Sequence, residues 1–298
     1  MTEPEPVYGL PPVFVGPTAE MLPQAGEVNW GMGKFKVDDL RALVGDVKLK
    51  LGIVDTGIDR NHAMFEGNYQ GSRDFTGSSA GAADRHGHGT HCSATVAGVN
   101  PLIGVANGFP VYHGKGLGDT GSGGNGLIDA IEYCLSEGCA VVSNSWGGGG
   151  QNAAWEARFR AWAEHPSKPW LIFAGGNSGP NTPDTDWPGR SQNLLNVAAL
   201  SMDLSPATFS SAGAKIDTSG PGVNIWSARP GGGYVQMSGT SMATPFVAGL
   251  LGLYRAALVR ANLYIPNIYE LRRLMQSRST DAHTPGVDRR TGPGWVTP

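Results

Sequence analysis

Four residue types in this 298-residue chain could together run acyl transfer: a serine hydroxyl, an imidazole, a carboxylate and a side-chain amide. Ser241 lies in Gly239-Thr240-Ser241-Met242-Ala243-Thr244-Pro245, where a glycine turn delivers a hydroxyl to the start of an apolar helical stretch. Unpaired N–H groups and the positive dipole end stabilise negative charge at such a place. By itself the motif is also an ordinary helix cap. Asp55, in Gly52-Ile53-Val54-Asp55-Thr56-Gly57, ends an apolar run. There an acid can orient a histidine, or simply bind turn N–H groups. Asn177, in Ala174-Gly175-Gly176-Asn177-Ser178-Gly179, is either a turn residue or an amide aimed at a developing oxyanion.

His88 stands in Asp84-Arg85-His86-Gly87-His88-Gly89-Thr90-His91-Cys92. The spacing of His86, His88 and His91 invites a zinc site, since imidazole is the commonest metal ligand. No Glu occupies the helical zinc-protease spacing, and glycines flank His88 on both sides. A single catalytic His88 at a helix entrance fits better. Gly121-Ser122-Gly123-Gly124-Asn125-Gly126 satisfies G-x-G-x-x-G before a helix, but no acid stands at the later strand end a dinucleotide loop needs. A glycine-rich edge that accepts an extended peptide makes better use of these residues.

The elements that must position these groups alternate. Strand-like runs cover Lys48–Val54, Phe109–Tyr112, Ala140–Asn144, Trp170–Ala174 and Leu194–Leu200. Helical patterns cover Thr90–Val99, Leu127–Glu137, Asn152–Glu164, Thr240–Arg260 and Asn267–Ser277. Such alternation predicts an α/β fold with a mainly parallel sheet and helices on both faces. Ligands then sit beyond the carboxyl ends of the strands, where Asp55, Ser145 and Asn177 fall. Glycine, 45 of 298 residues, clusters in short loops and argues for tight turns and close backbone approach. Residues 1–28 hold six of the 21 prolines and read as an extended arm, disordered or lying along a body of residues 29–298.

Net charge is −3 with mixed signs, which excludes a nucleic-acid footprint despite the arginines between Arg272 and Arg290. No apolar run suggests a membrane span, and no basic residue precedes Lys34 as a secretory signal requires. Cys92, Cys134 and Cys139 are too few for a disulfide framework, although a Cys134–Cys139 bridge stays open. A reducing, cytoplasmic setting is the simpler expectation, with secretion the alternative if the sequence is a truncated piece.

Asp55 in VDTGID, His88 in HGHGTH, Asn177 in AGGNSG and Ser241 in SGTSMATP together resemble the signature blocks of subtilisin-like serine proteases. Their order, Asp then His then Ser, is the one known for subtilisin. The resemblance runs from about Val47 to Val296 and implies a single-domain, three-layer α/β/α fold. It implies Ser241 as nucleophile, His88 as general base and acid, Asp55 as orienting carboxylate, and an oxyanion hole from Asn177 and the Ser241 N–H. Gly121, Ser122 and Gly123 and, opposite them, Ser145, Trp146 and Gly147 are similar to the edges that sandwich an extended polypeptide substrate. Ala174, Gly175 and Gly176 would line the pocket for the residue before the cut. Cys92 resembles the proteinase K branch and places a thiol near the histidine. Met242 would bring an oxidisable thioether beside the reactive oxygen.

The chain departs from the family in several places. Phe246 stands where a histidine is usual and should affect packing more than chemistry. The Val99–Val105 stretch looks too short for the usual calcium loop, and Pro101 and Leu102 supply no side-chain oxygens. No cofactor or metal is expected in catalysis, while a structural calcium site among Asp184, Asp186 and Asp203 stays open. Asp186, in Asp186-Trp187-Pro188-Gly189, aligns with the pocket floor; pointing inward, it would favour a basic residue before the cut. The segment Leu10-Pro11-Pro12-Val13-Phe14 resembles the short inhibitory extensions of intracellular subtilisins and would cross the cleft, proline blocking its cleavage. Only 54 residues precede Asp55, leaving no room for a folding pro-domain; a monomeric serine endopeptidase is expected, acting broadly or as a maturation protease for one partner. The remaining alternative is a catalytically silent peptide-binding module that keeps the fold, which intact Asp55, His88, Asn177 and Ser241 argue against.

Overall fold

Short apolar runs between glycine-rich turns build a sheet whose inner strands are buried along their whole length, as strands covered on both faces must be. The computed structural model describes residues 7–20, 29–99 and 104–296. Two arm strands come first, β1 (Tyr8–Gly9) and β2 (Phe14–Ala19), then α1 (Gly31–Lys34) and α2 (Val37–Val44). Next are β3 (Leu51–Asp55), β4 (Tyr69–Asp74), α3 (His88–Ala97), β5 (Val111–Lys115), the short β6 (Ser122–Gly123) and α4 (Gly126–Ser136). The chain continues through β7 (Val141–Asn144), α5 (Ala153–Ala163), β8 (Trp170–Ala174), β9 (Leu195–Leu200) and β10 (Thr218–Pro221). A hairpin of β11 (Ile225–Ala228) and β12 (Tyr234–Ser238) precedes α6 (Thr240–Arg260) and α7 (Ile268–Arg278).

The central sheet has the order β10-β9-β8-β7-β3-β5-β4, and every pairing in it is parallel. Helices α2, α3, α6 and α7 bury their apolar faces on one side; α4 and α5 bury theirs on the other. This is the three-layer α/β/α architecture expected of the alternating pattern. The five strands and five helices anticipated in the sequence all form. Strand β4, with its Gly71, Ser72 and Arg73, carries no apolar run, and β10 and the β11–β12 hairpin carry too little alternation to stand out.

One expectation needs correcting. By length and composition α6 is apolar enough to cross a membrane, with mean hydropathy 1.5 over 18 residues, yet 78% of that window is buried inside the protein. It is the central core helix, apolar all round because it packs against the sheet, α2 and α3 together. All three cysteines are buried and free, so the Cys134–Cys139 bridge does not form. Of the arm, residues 1–6 and 21–28 lie outside the described residues, as do residues 100–103 of the proposed calcium-loop stretch.

Phe246 is fully buried and meets Phe35 edge to face, ring centroids 5.1 Å apart. Phe246→Ala therefore opens a cavity in the core and should lower unfolding free energy by about 3–5 kcal/mol in a denaturant titration.

Candidate active site

Register decides where the polar residues go. Val54, Asn144 and Phe173 are partners across β3, β7 and β8, so Asp55, Ser145 and Ala174 leave the sheet at one level. Asp55 is fully buried there and its Oδ1 accepts from His88 Nδ1 at 2.8 Å, while also accepting the Thr56 N–H. Accepting the ring's Nδ1–H turns His88 Nε2 toward the cleft; that nitrogen is buried without a hydrogen-bond partner among the described residues.

His88 opens α3, and the start of this helix is fastened to the end of β3. The Asp84 carboxylate accepts from Thr56 Oγ1 at 2.9 Å, from the His86 and Gly87 N–H groups, and from both N–H and hydroxyl of Thr90. Thr56 Oγ1 in turn accepts from the Gly89 N–H. A Cβ on Gly89 would lie 2.2 Å from the Gly57 carbonyl oxygen, so only glycine lets α3 approach this closely. Beneath the pair, His113 accepts from the Gly57 N–H and pairs with Ser93; burial pushes its pKa down to about 4, keeping it neutral. Asp84, Thr56 and His113 were not singled out in the sequence. Asp84, four residues before His88, carried a recognisable turn signal; His113 sits inside a strand and carried none.

Pro245 explains how Ser241 is held. Lacking an N–H, it leaves the Ser241 carbonyl, four residues earlier in α6, without its helical partner. Ser145 Oγ donates to that carbonyl at 2.9 Å and Cys92 Sγ at 3.4 Å, tying the serine to the end of β7 and to α3. Ser241 Oγ itself donates to the Ser145 carbonyl at 3.1 Å. Asn177 Oδ1 accepts from the N–H and hydroxyl of Thr240, which leaves its Nδ2 aimed into the cleft. A Cβ on Gly239 would lie 3.0 Å from that Nδ2, so the glycine makes room for the amide. Met242 beside Ser241 is fully buried.

The cleft is occupied by the arm. Tyr8 and Gly9 pair antiparallel with Gly123 and Ser122, while Gly9 exchanges both backbone hydrogen bonds with Gly147. Leu10 N–H reaches the Gly121 carbonyl at 3.1 Å. The predicted edges, residues 121–123 and 145–147, thus hold an extended chain between them as a middle strand. Asn177 Nδ2 donates to the Pro12 carbonyl at 2.7 Å, and beyond it β2 adds a strand to β12.

Ala174 is buried at the end of β8, and the walls Gly175–Gly176 and Ser145–Gly147 run side by side. Asp186 closes the space between them: a Cβ on Gly176 would lie 2.5 Å from Asp186 Oδ2, and one on Gly147 would lie 3.8 Å from it. Trp146 buries its ring against Phe173 and Trp155, and the same indole meets the Tyr8 ring of the arm edge-on, so its backbone forms the cleft edge and its side chain lines the space that Tyr8 fills.

The histidines of the zinc alternative do not converge, for His91 Nε2 binds the Ile225 carbonyl at 3.0 Å while His88 Nδ1 faces Asp55. Asp55, His88 and Cys92 do bring three donor atoms within 4.8 Å of one another. The Asp55–His88 hydrogen bond already uses two of them. Asp203 turns onto Ser205 and Asp184 onto the Thr185 N–H, and among the described residues these acids do not gather with Asp186 into one group of donor atoms.

These features fit the sequence relationships of the chain. Residues 46–294 match the subtilase family. The chain belongs to that family. It is 33% identical to M-protease of Shouchella clausii over 248 residues, 81% of this chain and 63% of that protein. It is 31% identical to subtilisin DY of Bacillus licheniformis over 265 residues, covering 86% and 93% of the two chains. To thermitase of Thermoactinomyces vulgaris it is 32% identical over 244 residues, 80% of each. The match thus spans less than two thirds of M-protease and nearly all of subtilisin DY.

Burial disfavours the charged form of both Asp55 and His88, yet each partner's charge and the bond between them win. Asp55 is held below the usual carboxylate range and His88 is raised above its ordinary 6.5, with Cys92 contributing to the latter. The stability His88 supplies is complete below pH 6.5 and is lost as pH rises through its raised folded value. That of Asp55 is complete above its ordinary range and lost as pH falls through its depressed one. In an NMR titration of the intact chain the His88 ring should therefore titrate above pH 6.5; a midpoint at or below that value contradicts the geometry.

Proposed function

We propose that this chain is a serine endopeptidase whose arm holds it latent. The observation that carries the proposal is the Asn177 amide on a peptide carbonyl, beside Ser241 and the Asp55–His88 pair, in a cleft that grips an extended chain. In the working enzyme Ser241 Oγ swings to His88 Nε2, which takes its proton as Oγ attacks the scissile carbonyl. Asp55 stabilises the imidazolium. Asn177 Nδ2 and the Ser241 N–H at the start of α6 receive the oxyanion. His88 then protonates the leaving amine, and water hydrolyses the acyl-enzyme by the same steps in reverse.

Latency follows from proline chemistry. Narrow pairs in an antiparallel ladder recur every second residue, so the partner two beyond the Gly9–Gly147 pair is residue 11 facing Ser145. Pro11 has no N–H to give. The open Ser145 carbonyl takes the Ser241 hydroxyl instead, away from His88. The carbonyl on Asn177 then belongs to Pro12, one residue past the one that faces Ser145. The arm therefore fills the cleft in a register that cannot be cut.

Fluorophosphonate should label the chain once residues 1–20 are removed, and Ser241→Ala in that shortened chain should abolish labelling; labelling that persists rejects the nucleophile. Asn177→Ala should lower kcat by about 10²–10³-fold with little change in KM. Deleting residues 1–20 should raise kcat/KM on a small peptide, and Tyr8→Ala should do so partially with the arm still present. An unchanged rate in both variants rejects latency while leaving the catalytic reading intact.

A further inference from the structure

The reaction leaves one buried histidine unused. His113 is fully buried in β5, where it pairs across with Ile53 of β3. Side chains alternate along a strand, and the neighbouring Gly114 packs on α4, where a Cβ would lie 2.8 Å from the Ala130 carbonyl oxygen. His113 therefore points to the opposite face, beneath the end of β3 and the start of α3. Each ring nitrogen makes a hydrogen bond there. The Gly57 N–H donates to Nε2 at 3.1 Å, and Nδ1 lies 2.9 Å from Ser93 Oγ. A backbone N–H can only donate, so Nε2 carries no proton. The proton of the neutral ring sits on Nδ1, which donates to the Ser93 hydroxyl.

Its two partners belong to the elements that carry the Asp55–His88 pair. Gly57 lies two residues past Asp55, whose Oδ1 accepts from both the Thr56 N–H and His88 Nδ1. Ser93 follows Gly89 by one turn of α3, the helix that His88 opens. The ring also fills the space between the two elements, since a Cβ on Gly89 would lie 3.1 Å from His113 Cε1. Gly57 is buried, so loss of the ring nitrogen would leave its N–H unsatisfied. Asp84 and Thr56 fasten β3 to α3 from the loop side; His113 does so from within the sheet. Burial pushes the His113 pKa down to about 4. Asp55 on β3 and Asp84 in the loop before α3 pull the other way, while Lys115 on the same strand adds to the burial and α3 faces the ring with the Ser93 hydroxyl. A proton on Nε2 would set two donors against each other. The stability tied to the neutral ring is therefore complete above its ordinary 6.5 and is lost as pH falls towards about 4.

We propose that His113 is a positioning residue of the proteolytic centre: its neutral ring bolts the turn after Asp55 to helix α3 and so sets the hydrogen bond between Asp55 and His88. Its consequence for turnover rests on the endopeptidase reading. His113 itself touches neither the cleft nor the reacting hydroxyl, and acts only through the two groups it aligns.

The test compares His113→Leu, which removes both ring nitrogens at similar volume, with His113→Gln, whose amide oxygen can still accept from Gly57. Turnover of a small peptide is followed in full-length chains that also carry Tyr8→Ala to weaken the arm. His113→Leu should lower kcat roughly tenfold to a hundredfold with KM unchanged, and His113→Gln should recover most of that loss. In NMR titrations of the chains without Tyr8→Ala, the His88 midpoint should drop towards 6.5 in His113→Leu and stay raised in His113→Gln. Unchanged kcat and His88 midpoint in His113→Leu overturn the proposal, as does a His113→Gln chain as impaired as His113→Leu. Should His113→Leu fail to fold, Ser93→Ala decides. It withdraws the acceptor that orients the ring and should lower kcat about threefold to tenfold, whereas unchanged kcat and His88 midpoint overturn the proposal. Absence of turnover in the Tyr8→Ala chain instead overturns the endopeptidase reading, and the His88 midpoints then decide on His113 by themselves.

Discussion

Everything in the cleft depends on the parallel register that brings the ends of β3, β7 and β8 level. Parallel pairing fixes that register by burying both faces of each strand, since a slip of one residue would exchange the side chains packed on the two helical layers. Level ends put Asp55, Ser145 and the wall before Asn177 within side-chain reach although together they span more than a hundred residues of sequence. The fine positioning is then done by fasteners between loops. Asp84 joins the exit of β3 to the entrance of α3 through five accepted hydrogen bonds. Thr240 does the same for Asn177 and α6. A rigid sheet and a small set of buried polar ties replace any need for the reactive groups to be near one another along the chain.

The legible part of the fold was the part with strong local signals. Apolar runs such as Trp170–Ala174 and the long helical pattern at Thr240–Arg260 appear at the anticipated residues because burial on both faces requires uninterrupted apolar sequence. Strand β4 escaped notice because its neighbour β5 covers one edge and its side chains are half exposed, so glycine, serine and arginine are tolerated. In the site, Asp55, His88, Asn177 and Ser241 stood out through their glycine settings, which exist to permit close backbone approach. Asp84 and His113 did not, because their roles arise only when distant segments meet. Trp155 likewise became part of the cleft only through its packing with Tyr8 and Trp187, relationships that no local spacing encodes.

Two prolines shape the site by what they lack. Pro245 withholds an N–H from the Ser241 carbonyl, and the vacancy is filled by Ser145 and Cys92, so the helix carrying the Ser241 hydroxyl is bolted to two other elements. A proline this deep in a helix ordinarily costs about 3 kcal/mol, offset here by those replacement bonds. Pro11 withholds an N–H from the Ser145 carbonyl, and there the vacancy is filled by the hydroxyl itself. The same subtraction thus fastens the serine's backbone in one case and diverts its side chain in the other.

The arm's second strand has a consequence for how the cleft can be opened. Because β2 is zipped along β12 while β1 lies between the two cleft edges, both ends of the short Leu10–Val13 bridge are pinned to one body. Occupancy of the cleft is therefore an intramolecular equilibrium, governed by an effective concentration that for short tethers reaches the millimolar range. Dilution leaves such an equilibrium unchanged. On the proposed latent reading, a free polypeptide displaces the arm only by exceeding that local concentration or by binding more tightly residue for residue, so the tether would set a threshold of abundance and fit below which a passing chain is ignored.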